Sequence, residues 1–205
     1  GKGGAFLGDG LVNVILYPGK TYTITPYIVI EQNIVYFGTA KSYTPTGSIS
    51  FASGDLGLSV IWADKNVGAD KTEDVGGYYA WGVKKPYSSP FTYEWLNGSK
   101  VKKYVSQNSH SESGTADGLT VLVAADDVAS AESEGEWRMP TKEEIDELKA
   151  LDCLEGYELN GKKGLLFVGK DGHTNEGLFI PYGGYKYKSD TPVSTDYAYL
   201  WSSSL

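Results

Sequence analysis

Trp137-Arg138-Met139-Pro140-Thr141-Lys142-Glu143-Glu144 leads into the clearest helix of the chain. Thr141 followed three residues later by Glu144 is a capping box: the hydroxyl accepts the Glu144 amide, and the carboxylate reaches back to the Thr141 amide. Ile145, Leu148 and Leu151 then recur at spacing three, which predicts a helix of about three turns with one apolar face against a sheet. A shorter helix is expected near Asp126, whose carboxylate suits the positive helix end. Around these helices the apolar residues alternate as in strands, at 58–62, 78–81, 164–168 and 178–181,. Residues 106–118 carry four serines and no large apolar side chain, so they read as a surface loop,. Short helices beside separate strand runs indicate an α+β class.

Residues 11–43 have a different grammar. Val12, Val14 and Leu16 alternate on one face, and Tyr22, Ile24 and Pro26 follow after the turn Tyr17-Pro18-Gly19-Lys20,. A turn at Glu31-Gln32-Asn33 precedes a last strand over 36–44, with Gly38 at a bulge. Three strands are expected. The run 16–22 resembles the E-to-F corner of a fibronectin type III or immunoglobulin-like sandwich, with Tyr22 as the corner tyrosine bonded back to the backbone. A linker at Pro45-Thr46-Gly47-Ser48 follows. Such a sandwich needs ~100 residues, so residues 1–46 read as its C-terminal part. Its front portion is either cut away or replaced by contact with the next domain, and truncation is the favoured expectation.

Composition bounds function. The chain has 205 residues, with 18 Lys plus Arg against 26 Asp plus Glu, for a formal charge of −8. That balance opposes phosphate backbones, so nucleic acid is not an expected partner. Aromatics make up 13%, including 16 Tyr, too many for a disordered chain,. A single cysteine, Cys153, excludes an internal disulfide and a Cys-rich zinc site,. It follows an apolar helix face, where a buried inert thiol is the expectation. Apolar runs such as 27–30 and 119–125 fall short of the ~20 residues that cross a bilayer. Gly1-Lys2-Gly3-Gly4-Ala5 lacks the zones of a signal peptide, so the expectation is that any leader has been removed or never existed, a lipid anchor belonging only to the first case,.

The motifs of the second segment resemble a known family. Asp55-Leu56-Gly57-Leu58-Ser59-Val60-Ile61-Trp62-Ala63, Asn66-Val67-Gly68-Ala69 and Gly77-Tyr78-Tyr79-Ala80-Trp81-Gly82 come first. Asp126-Asp127-Val128-Ala129, the 137–144 stretch, Phe179-Ile180-Pro181-Tyr182-Gly183-Gly184-Tyr185 and Tyr199-Leu200-Trp201-Ser202-Ser203-Ser204 follow in the same order. Together they resemble the Fibrobacter succinogenes major paralogous domain and span residues 55–204. The resemblance implies a C-type-lectin-like domain over 47–205, with short helices, curved antiparallel sheets and long loops. It also implies a surface or secreted protein of the Bacteroidetes or their relatives, often behind immunoglobulin-like modules. Two departures stand out. Val83 follows Gly82 where the family commonly has an acidic residue, and, with the sequence stopping at Leu205, the strands usual after the Trp-Ser-Ser run are expected to be missing from this stretch.

Chemistry-bearing patterns are weak. Gly156 to Lys163 nearly matches a phosphate loop, but Lys163 replaces the magnesium-holding Ser or Thr, and an Asn160-Gly161 turn explains the run. His110 and His173 lie in polar loops outside any zinc-protease spacing. The carboxylates Asp126-Asp127 and Asp70, Glu73, Asp74 carry no calcium-lectin triplet or EF-hand spacing, and helix capping accounts for the first pair. Neither a catalytic set, a metal site nor a cofactor is expected. Related formylglycine-generating enzymes need active-site cysteines that one cysteine does not supply.

The aromatics carry the binding signal. Tyr182, Tyr185 and Tyr187 cluster in one stretch, and Tyr87, Phe91, Tyr93 and Trp95 in a loop insertion. Tyr and Trp offer large contact area at small entropy cost. Core packing is expected for Trp62, Trp81, Trp137 and Trp201, while for the loop aromatics packing and binding stand as equal alternatives. Tyr87, Tyr93, Trp95, Tyr182, Tyr185 and Tyr187 are the expected ligand-binding set. The function expected is a noncatalytic adhesin or lectin-like module on a bacterial surface, extracellular or on the outer membrane, taking a glycan or surface protein. A fimbria-associated stalk or assembly subunit is the alternative.

Overall fold

A computed structural model describes residues 16–17, 20–30, 34–93 and 95–205, with backbone alone at 27–30 and 34–37. The chain is α+β, with few short helices and small antiparallel sheets. It divides into two compact units, Gly1–Ile49 and Ser50–Leu205.

The first unit contains β1 (Tyr22–Ile24), β2 (Tyr27–Ile30), β3 (Ile34–Phe37) and β4 (Lys41–Tyr43). The pairs β2–β3 and β1–β4 are consecutive stretches of one antiparallel ladder, with rungs from Ile30↔Ile34 to Tyr27↔Phe37 and from Ile24↔Lys41 to Tyr22↔Tyr43. Between them, two residues (Thr25-Pro26) oppose three (Gly38-Thr39-Ala40). Pro26 has no N–H to donate, so the ladder stops there. The Gly38 amide instead donates to the Pro26 carbonyl at 2.7 Å, and a Cβ at Gly38 would lie 2.8 Å from Pro26 Cγ. The bulge expected at Gly38 is present, but it splits the strand expected over 36–44, giving four strands among the described residues. The Tyr22 hydroxyl accepts the Tyr17 amide at 2.9 Å, a bond back to the backbone five residues upstream. Val12, Val14, Pro18-Gly19 and Glu31-Gln32-Asn33 lie outside the described residues.

The second unit holds β5 (Leu96–Asn97), β6 (Lys100–Val101), α1 (Val128–Glu132), α2 (Lys142–Lys149), β7 (Cys153–Leu159), β8 (Lys162–Val168) and β9 (Gly177–Pro181). The last three strands form an antiparallel sheet in chain order. Asn160 and Gly161, both at positive φ (48° and 79°), close the two-residue β7–β8 turn, because a primed turn matches the strands' right-handed twist,. The near phosphate loop is therefore this hairpin.

Leu165 pairs with Ile180 and Phe167 with Leu178 on one sheet face. There Leu56, Leu148, Phe167, Leu178 and Ile180 make the core, with Leu58, Trp62, Leu151, Leu165 and Ala198 packed against it. Leu148 brings α2 onto that face. The capping box forms as read: Glu144 N–H donates to Thr141 Oγ1 at 3.3 Å, and Thr141 N–H to Glu144 Oε2 at 2.8 Å. The Arg138 guanidinium forks onto the same carboxylate at 2.8 and 2.6 Å.

Several expectations are corrected. The helix α2 has eight residues, ending before Leu151, which reaches the core from beyond the C-cap. Asp127, not Asp126, caps α1, accepting Ser130 N–H at 3.1 Å while its other oxygen accepts Met139 N–H at 2.8 Å. Residues 58–62 form no strand. The alternation arises because Leu56, Leu58 and Trp62 all face the core from a loop that closes on itself, Trp62 N–H donating to Gly54 C=O at 3.0 Å. Residues 78–81 contain only the isolated Tyr79↔Pro86 bridge. Trp137 and Trp201 are 41% and 56% exposed, so they are not core; Trp62 and Trp81 are half-buried. Cys153 is exposed on β7, where burial of its thiol by nearby protein and the Glu155 charge push its pKa up, away from reactive thiolate,. Val83, the departure from the acidic pattern, is buried.

Residues 201–205 cross three distant segments. Trp81 Nε1 donates to Ser202 C=O at 2.8 Å, Leu122 N–H to Ser203 C=O at 2.8 Å, and Ser203 N–H to Pro140 C=O at 2.7 Å. Lys142 N–H donates to Ser204 Oγ at 3.1 Å. No helix among the described residues is long and apolar enough to cross a membrane.

Candidate functional site

The loop insertion at 87–95 divides between two environments. Its C-terminal end joins an inner aromatic cluster. The Tyr93 hydroxyl donates to Trp81 C=O at 2.7 Å and Trp95 Nε1 to Gly82 C=O at 3.1 Å. Trp81 and Trp95 both meet Tyr104 edge-on, with centroids at 4.9 and 6.0 Å. The Tyr104 hydroxyl and Lys103 ammonium both donate to buried Asp126 at 2.5 Å, and Lys103 also lies 5.5 Å from the Trp95 ring. Desolvation first, then the bond to Asp126, pushes the Tyr104 pKa up to about 12. This phenol therefore keeps its proton at ordinary pH. Asp117 secures the loop by accepting the Tyr104 and Val105 amides at 2.6 and 2.9 Å.

The N-terminal end of the insertion faces a second loop instead. Tyr87, Ser89, Pro90 and Phe91 on one side and Lys186, Tyr187 and Lys188 on the other line an open cleft of about 390 Å³. Tyr87 N–H donates to Tyr78 C=O at 2.6 Å, and the Ser89 amide donates to Asp190 Oδ1 at 2.9 Å, tying the loops together. The Tyr87 and Phe91 rings lie 5.0 Å apart. Reciprocal bonds between Tyr185 and Val193 at 3.0 and 2.9 Å hold the second loop. Lys186 lies 4.9 Å from the Tyr78 ring and Lys188 5.0 Å from that of Tyr187. Tyr187 is 65% exposed.

Of the six aromatics expected to bind, the structure brings Tyr87 and Tyr187 together in this cleft. Tyr93 and Trp95 are committed to the inner cluster. The half-buried Tyr182 accepts the Gly156 amide on its hydroxyl at 3.0 Å, where β7 bulges. Tyr185 packs edge-on against Tyr199 at 5.0 Å, outside the cleft lining. Lys186 and Lys188 were not in the expected set, although the alternation Tyr185-Lys186-Tyr187-Lys188 was a readable signal.

The remaining candidates serve local structure. Asp74 Oδ2 accepts the Lys71 amide at 3.2 Å, Glu73 accepts Asn160 Nδ2 at 3.1 Å, and the Asp70 carbonyl accepts Lys65 at 3.3 Å. His173 Nδ1 stands 3.4 Å from Asp55, and His110 ends an exposed 3₁₀ turn at Asn108–His110. Among the described residues, no three His, Cys, Asp or Glu side chains converge as metal ligands. Compared with protein-family models, curated proteins and solved structures, the chain gives no significant match.

Proposed function

We propose that this chain is a noncatalytic binding module of a bacterial surface, extracellular or on the outer membrane, that recognises a glycan or surface-protein ligand through loop aromatics. The carrying observation is the cleft in which two sequence-distant loops, 87–91 and 186–188, set Tyr87, Phe91 and Tyr187 around one opening. Clefts with a few aromatic walls and polar rims are the usual form of small-ligand sites. The scaffold in this reading is a C-type-lectin-like domain behind the C-terminal part of an immunoglobulin-like sandwich. The ordered motifs over 55–204, the short helices and the Tyr22 back-bond support it. The test is the variant Tyr87→Ala/Phe91→Ala/Tyr187→Ala on a glycan array and on whole cells. Lost binding at an unchanged melting temperature is the expected result; unchanged binding sinks the reading.

The second reading, an assembly or fimbria-associated subunit, draws on a different surface. Tyr185, Tyr197, Tyr199, Leu200 and Trp201 are all exposed, and grouped exposed apolar side chains mark interaction surfaces. Concentration-dependent sedimentation abolished by Tyr197→Ser/Tyr199→Ser would favour this reading.

A further inference from the structure

We infer that the cleft between the 87–91 and 186–188 loops is a subsite for a short carboxylated oligosaccharide, a uronic-acid-bearing chain. This rests on the binding-module reading and specifies its ligand.

The apolar walls come first. Tyr87, Phe91 and Tyr187 contribute aromatic residues to the lining, and the C–H faces of a sugar ring are flat and weakly apolar enough to pack against aromatic rings. Ser89 adds a polar residue to the lining. The volume of about 390 Å³ lies near the lower end of the ~300–1,000 Å³ typical of small-ligand sites,. A short oligosaccharide fits that scale.

Charge sets the class. Lys186 and Lys188 both line the cleft, and neither has an ion pair among the described residues. The nearby carboxylate, Asp190, is not part of the lining, and one of its oxygens accepts the Ser89 amide. Among the described residues, the charged groups that line the cleft are thus both cationic, in a chain of net charge −8. That contrast discriminates among anions. A long polyanion meets the field of the whole molecule and is repelled, whereas a short one with a carboxylate at the cleft meets the two ammonium groups within a Debye length.

Backbone geometry adds an independent point. In an extended run, Tyr187 would point away from Lys186 and Lys188. Lys188 instead adopts φ 54°, in the left-handed region, and all three residues line the same cleft. Glycine takes that conformation without strain, so Lys188→Gly removes the ammonium while suiting the backbone.

The test uses the full chain with trigalacturonic acid and its methyl ester, which keeps the sugar and removes the charge. Titration calorimetry is expected to give about 1.5- to 5-fold tighter binding of the acid per lysine engaged. Salt raised from about 0.05 to about 0.5 M should weaken the acid and spare the ester. Lys186→Gln/Lys188→Gly should lower the acid to the ester's affinity with no change in melting temperature. Equal binding of acid and ester, retention of the acid's advantage by the lysine variant, or failure of the acid to bind each overturns the carboxylate assignment. So does a preference for sulfated over carboxylated chains on a glycan array. The parent reading survives those results if the aromatic triple variant still abolishes neutral-glycan or cell binding, and falls separately if it does not.

Discussion

The inner aromatic cluster and the open cleft grow from one stretch of chain, yet their side chains are used in opposite ways. In the cluster the indole N–H groups of Trp81 and Trp95 and the hydroxyls of Tyr93 and Tyr104 each meet a carbonyl or carboxylate within 2.5 to 3.1 Å. Their polar atoms are consumed by the fold. In the cleft Tyr187 is 65% exposed and the lysines have no carboxylate partner among the described residues. On the proposed reading, an aromatic whose polar atom is bonded within the fold is structural, and an exposed one such as Tyr187 is available to a ligand.

Asp126→Ala should separate the two regions most strongly. It leaves the Tyr104 hydroxyl and the Lys103 ammonium without their shared acceptor, at a cost of about 2–4 kcal/mol. Tyr187→Ala should stay within about 0.5 kcal/mol. Urea unfolding measures both, and similar losses would break the distinction.

Alkaline pH probes the same node. The Tyr104 pKa is raised from 10.0 to about 12 by burial and by Asp126, so the folded state holds its proton more tightly than the unfolded chain. Its contribution is complete below about pH 10 and is lost as pH rises toward 12,. Tyr104→Phe should flatten that part of the curve of urea midpoint against pH, and Tyr187→Phe should leave it alone.

Trp95→Phe keeps a ring but orphans the Gly82 carbonyl, for an expected loss of about 1 kcal/mol in thermal unfolding. The smallest effect belongs to Lys188→Gly. It relieves a left-handed lysine, so stability should hold or rise by a few tenths of a kcal/mol even as carboxylated-sugar binding falls. A clear loss of stability there would make Lys188 a structural residue.

Local chemistry was legible where one short segment decides the outcome. Thr141 and Glu144 cap their helix and Asn160-Gly161 turns its hairpin because each depends on residues within a few positions. The 164–168 and 178–181 runs became strands for a similar reason, being adjacent and able to pair. The 58–62 run did not. Burial of Leu56, Leu58 and Trp62 against a distant sheet produces the same alternation without a pairing partner. Tyr93 and Trp95 looked like free loop aromatics because their acceptors, the Trp81 and Gly82 carbonyls, are available only where 78–81 fails to form a strand. Trp201 looked like core, but only its N–H is anchored, on the Tyr79 carbonyl at 2.9 Å. Tyr87 and Tyr187 were legible as aromatics; their meeting across one cleft needed three dimensions.

Residues 201–205 bear on how the second unit is made. Trp81, Leu122, Pro140 and Lys142 all find partners in Ser202, Ser203 or Ser204. The indole of Trp81 thus waits for an acceptor 121 residues downstream. Contacts of such separation close late. On a ribosome, the nascent chain would leave the Trp81 indole N–H without this acceptor until residue 202 emerged.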